Sequence, residues 1–185
     1  MHILRTRRNQ DSRQYGQALA EFALVLPVVA LLLLGTIQFA SILAAQIGVT
    51  NAVREGARLA AVTTPTSTAT QANSNALAIY NVLTGANGLL ARNVFAFNSA
   101  NVVVTGTPDT SVCYVGFTDT TAAPGVKVKV EVVYRHPIFV PLLDGLLDGI
   151  DGTPDGGLRI GAAEEMRVEN DVLTSTTVTT NCYNP

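Results

Sequence analysis

A glycine and a glutamate set the chemistry this sequence offers. Gly16 closes a basic leader, and Glu21 follows five residues later at the mouth of a long apolar run. An ionised carboxylate entering a bilayer is costly, so it needs a partner or a role. A cut after Gly16 supplies one by freeing an α-amine on Gln17, one helical turn from Glu21. That amine can pair with Glu21 of its own chain or of a neighbour in an assembly. Such a pair is a weak source of net stability but a good device for fixing register. The other reactive side chains are less organised. His2 lies in the leader and His136 precedes Pro137; one usable histidine excludes a multi-histidine metal site. Asp144, Asp148, Asp151 and Asp155 lie among glycines at spacings of four, three and four. That spacing lacks the alternating oxygens of an EF-hand loop, and Leu146, Leu147 and Ile150 suit a short amphipathic turn, so an acidic surface loop is expected. There is no nucleophile elbow, phosphate loop or dinucleotide-binding glycine pattern. No catalytic residue, cofactor or metal ligand is expected.

Several elements must position this motif. The chain has 185 residues, of which 48% are hydrophobic and only 14% charged, against about 25% charged in ordinary soluble proteins. That much apolar surface excludes disorder as the main state. A net charge of −2 with no basic face argues against nucleic acid as a partner. The charge is unevenly spread. Residues 1–16 carry Arg5, Arg7, Arg8 and Arg13 against Asp11, or +3, which leaves eight basic and thirteen acidic residues, or −5, for 17–185. Residues 22–53 hold no charge at all. As a helix those 32 residues extend about 48 Å, well beyond a hydrocarbon core of about 30 Å. A single membrane span follows, with the basic leader cytoplasmic and the C-terminal bulk outside. A cleaved secretory signal would have a shorter apolar stretch and a small-residue cleavage site after it; neither is present.

Beyond the motif itself, the string Gly16-Gln17-Ala18-Leu19-Ala20-Glu21-Phe22-Ala23-Leu24-Val25-Leu26-Pro27, then Leu31-Leu32-Leu33-Leu34-Gly35 and Asn51-Ala52-Val53-Arg54-Glu55-Gly56-Ala57-Arg58, resembles the TadE-like pseudopilins, or minor pilins, of the tight-adherence (Flp pilus) machinery. The leader, glycine and glutamate are similar to a type IV prepilin signal. The close resemblance covers about residues 14–62. Gln17 stands where most type IVa pilins have phenylalanine, and Phe22 where major Flp pilins usually have tyrosine; both departures favour the TadE-like branch. The resemblance implies processing by a separate prepilin peptidase between Gly16 and Gln17. It also implies residence in the inner membrane and partnership with other pilin or pseudopilin subunits. The alternative is a signal-anchored extracytoplasmic binding module that never joins a pilus; a retained leader would favour it.

The resemblance divides the chain into a leader (1–16), a transmembrane and assembly helix (17–62) and an extracytoplasmic domain (63–185). On the helix, Ala40, Ala44, Gly48, Ala52, Gly56 and Ala60 recur at every fourth position. Small residues at this spacing let helix backbones approach closely, which suits helix packing in an assembly. In the outer domain, residues 69–84 suit a second helix with Ala76, Ile79, Tyr80 and Leu83 on one face, ended by Gly85-Ala86-Asn87-Gly88. Strands are expected at 101–105, 112–118 and 126–132, the last alternating valine with Lys127, Lys129 and Glu131. A closing pair is expected at 158–169 and 172–180. The fold class is therefore α+β and pilin-like: a long N-terminal helix, a short helix and a small antiparallel sheet. Cys113 and Cys182 are expected to form a disulfide in an oxidising compartment, pinning the C-terminal tail to the strand at 112–118.

Overall fold

The computed structural model describes residues 11–63, 69–104, 109–117, 125–140, 156–169 and 181–183, and 143, 145, 149 and 152 singly. The first element is the helix α1, Asp11–Val62, of 52 residues. Two units divide the chain, Met1–Phe39 and Ala40–Pro185. In the first, the described residues are helix with apolar side chains turned outward: Phe22, Leu24, Val25 and Leu32 are all exposed. Pro27 sits inside α1 and removes one backbone donor from the ladder. The Thr36 hydroxyl donates to the Leu32 carbonyl one turn back, a common satisfaction of polar groups within apolar helices.

The second unit contains the core. Over its part of α1 the buried hydrophobic side chains are Ala45, Val49, Ala52, Val53, Ala57, Ala60 and Ala61, the three-and-four spacing of one packed face. Helix α2, Ala69–Thr84, buries Ala72, Ala76, Ile79 and Leu83, with Tyr80 half-buried, as its periodicity predicts. Its end is closed at the expected glycines, Gly85 N donating to Asn81 O and Gly88 N to Gly85 O. A short helix α3, Leu89–Asn93, follows.

The strands β1, Ser111–Phe117, β2, Gly125–Pro137, β3, Gly157–Arg167, and β4, Asn181–Tyr183, form a sheet in the order β3-β2-β1-β4, antiparallel throughout. The alternation read from the sequence holds along β2. Val126, Val128, Val130, Val132, Tyr134 and His136 are buried, while Lys129 is exposed and bridges Glu131 at 2.8 Å. Long helix, short helix and small antiparallel sheet make this an α+β fold.

Two strand expectations need correction or reassignment. Residues 101–105 do not form a strand where described. Asn98 Oδ1 accepts from Ala100 N at 3.0 Å and caps a 3-10 turn at Ser99–Asn101, a local bond that competes with extension. What survives is one bridge, Val102 to Tyr134. The expected strand at 172–180 lies outside the described residues, and the partner of β3 is β2.

Candidate functional site

The N-terminal motif lies on α1. Gly16 is exposed, and a methyl group added there would meet nothing within 4 Å, so the helix surface at this position is uncovered. Gln17 and Glu21 share a face one turn apart, the Gln17 Nε2 donating to Glu21 Oε1 at 3.1 Å. In the intact chain the side-chain amide thus occupies the carboxylate; cleavage would add the α-amine of the same residue, a stronger charge-assisted donor. Phe22 is exposed beside them. Gly16, Gln17, Glu21 and Phe22 are therefore consecutive features of one accessible helical segment.

The stripe of small residues divides. Ala40 and Ala44 are exposed, whereas Gly48, Ala52, Gly56 and Ala60 are buried within their own outer domain. A Cβ on Gly48 would stand 2.2 Å from the Asn93 carbonyl oxygen, and one on Gly56 2.6 Å from Leu83 Cδ2. The close approach seen at these positions is thus between α1 and the α2–α3 region of the same chain. The spacing suggested packing in an assembly; at Gly48 and Gly56 the space is filled by the chain's own Asn93 and Leu83.

The sheet meets α1 along a line of polar contacts. The Tyr114 hydroxyl donates to Ala60 O at 3.3 Å, and Glu169 N to Ala61 O at 3.1 Å. Arg54 faces Glu164 at 3.9 Å. Gln46 Nε2 donates to Gly161 O at 3.3 Å. His136 Nε2 lies 3.2 Å from Ser41 Oγ. Burial without a compensating charge pushes the Tyr114 hydroxyl up to about 12 and His136 below the usual imidazole range. His136 Nδ1 is buried without a hydrogen-bond partner among the described residues, and the ring packs edge-on against Phe139, centroids 6.2 Å apart. His136 is thus a neutral, structural histidine at the tip of β2. The Ser41 contact had no signal in the sequence, because its partners are 95 residues apart.

Cys113 and Cys182 form a disulfide and are direct cross-strand partners between β1 and β4. The tail is pinned where expected. Among the described residues no group of three or more His, Cys, Asp or Glu gathers as a metal site; most of the Asp/Gly run at 144–157 lies outside them.

Residues 16–58 match the TadE family model, TadE-like protein. The TadE-like match begins at the exposed Gly16 and lies entirely on α1. It bears out the resemblance read from the same residues and does not extend to the sheet. The TadE-like segment also coincides with the one helix among the described residues that is long and apolar enough to cross a membrane, Gly16–Val62. No curated protein and no solved structure matches the chain.

Proposed function

We propose that this chain is a membrane-anchored minor pilin or pseudopilin that acts in assembly of a Tad/Flp-type pilus. The supporting observation is the start of the TadE-like match at Gly16, where an exposed glycine precedes Gln17 and Glu21 at the head of an apolar helix. A prepilin peptidase cuts between Gly16 and Gln17. The basic leader stays in the cytoplasm, α1 spans the inner membrane once, and the disulfide-bonded domain folds outside it. Glu21 then offers its carboxylate to the Gln17 amine of its own chain or of an adjoining pilin subunit. The chain serves as peptidase substrate and assembly subunit, and it performs no catalysis itself.

N-terminal sequencing of the membrane-extracted protein tests the reading. A first residue of Gln17, lost in Gly16→Leu, is expected. A first residue of Met1 in cells with an active prepilin peptidase would refute it.

A further inference from the structure

Two arginines stand side by side at one end of the sheet. Arg135 on β2 and Arg159 on β3 are direct cross-strand partners, which brings their Cβ atoms to about 5 Å on one face. Like charges placed directly opposite each other destabilise a sheet. Lys127 and Arg167 repeat the arrangement at the other end of these strands, and there the Glu165 carboxylate lies 3.8 Å from Lys127 Nζ. Around Arg135 and Arg159 the two strands supply no such neighbour. The nearest acidic residue of β2, Glu131, is four positions from Arg135, about 13 Å along the strand, and bridges Lys129 at 2.8 Å. The nearest of β3, Glu164, is five positions from Arg159 and faces Arg54.

Both arginines line a cavity of about 210 Å³, whose walls include Asn101, Val102, Val103 and Val104. The valine wall is tied to β2: Val102 bridges Tyr134, and Val103 N donates to Val133 O at 2.8 Å. Arg135 is positioned at both ends. Its stem passes over Gly157, where an added Cβ would stand 2.5 Å from Arg135 Cγ. Its Nη2 donates to Asn101 Oδ1 at 3.3 Å. A guanidinium offers five N–H donors, so it can hold a ligand alongside Asn101 and its other neighbours.

The structure assigns this cavity to a carboxylate, carried either on a small free acid or on an acidic side chain of another protein. The two oxygens of a carboxylate match the planar fork of guanidinium donors. The group also brings the negative charge that β2 and β3 lack at this end. The valine wall suits the carbon body behind a carboxylate, which inorganic phosphate does not have. The site draws on no residue of the Gly16 motif, so it stands or falls separately from the processing and assembly of the chain.

The test uses the full chain in a non-ionic detergent at neutral pH. It is titrated with sodium succinate, with N-acetyl-aspartic acid amide (a side-chain carboxylate alone), with inorganic phosphate, and with sodium chloride at matched ionic strength. Thermal unfolding gives Tm. A saturable rise of roughly 3 °C or more, at a ligand concentration about ten times Kd, is expected for a carboxylate and not for chloride or phosphate. A response to succinate alone assigns a free acid; an equal or greater response to the blocked aspartate assigns a protein side chain. Arg135→Gln and Arg159→Gln should each weaken binding by about tenfold or more. Asn101→Asp supplies a carboxylate beside Arg135 from within the chain, so it should raise Tm without ligand and remove the response. An equal shift with chloride, a larger one with phosphate, or a response that survives both arginine substitutions would overturn the assignment. If the arginine variants do not fold, an undiminished response in Asn101→Asp overturns it instead.

Discussion

Gly48→Ala separates packing inside the chain from packing between chains. The new Cβ would stand 2.2 Å from Asn93 O and 2.8 Å from Asn93 C. Both are backbone atoms, and the carbonyl belongs to the last residue of α3, so no side-chain rotation relieves the clash. Overpacking of this kind costs about 1–3 kcal/mol, and alanine returns up to about 1 kcal/mol of helix propensity. The net loss is about 1–2 kcal/mol, which lowers Tm by roughly 3–8 °C for a domain of this size. Two substitutions calibrate the result. At Gly56 the obstacle is the Leu83 side-chain terminus at 2.6 Å, which can shift, so Gly56→Ala should cost less than Gly48→Ala. At Gly35 nothing lies within 4 Å, so Gly35→Ala should leave the domain unchanged. The assay is thermal unfolding of the full chain in detergent, followed by near-ultraviolet circular dichroism, which reads the tyrosines of the outer domain. Gly48→Ala melting at or above the parent temperature would refute the intramolecular reading. An unchanged melt with failed pilus assembly would assign the glycine to contacts between subunits.

Other expectations follow from the same contacts. Replacing Cys113 and Cys182 together by alanine reopens a separation of 69 residues, and should lower stability by about 4 kcal/mol on the chain-entropy account; chemical unfolding with and without reductant of the parent measures the same loss. Because burial holds His136 below its ordinary value of 6.5, the unfolded chain binds the proton more readily than the folded one. Stability is therefore full above the unfolded pKa and declines as pH falls from 6.5 towards the lower folded value. His136→Gln should flatten that decline in melts taken across acid to neutral pH. Tyr114→Phe removes the hydroxyl that donates to Ala60 O, so a loss of about 1 kcal/mol is expected in the same melts.

The elements legible in the sequence are those whose signal is local and periodic. The uncharged run at 22–53 marks α1 without reference to anything it touches, and the valines of β2 alternate because one face of a strand is buried. Gly16, Gln17 and Glu21 are legible for the same reason, since their relation is a spacing along one helix. The Cys113–Cys182 pair is legible because the compartment and the count leave one internal pairing. Long-range contacts are not. Val102, Val103 and Val104 read as a strand, yet the Asn98 cap just before them closes a turn and leaves one bridge to β2. Strand β4 is three residues long, too short for any period to appear, and it is positioned by its pairing with β1. The small-residue stripe foretold a close approach, but the Asn93 carbonyl that fills the space at Gly48 is 45 positions away in sequence, and α3 was not expected at all.

The two glycine seats on α1 also carry a mechanical consequence. Gly48 and Gly56 are eight residues apart, about 12 Å along the axis, and each admits one fixed neighbour, Asn93 O or Leu83. Sliding α1 by one residue would place Ile47 or Val49 against the Asn93 carbonyl, so the helix cannot slip past α2 and α3 in small steps. Together with the contacts at Gln46, Arg54, Ala60 and Ala61, this couples thrust along α1 to the sheet at several points. A load carried along this stretch of α1 is taken up by the rest of the outer domain at several points, and none of it is lost to sliding between them.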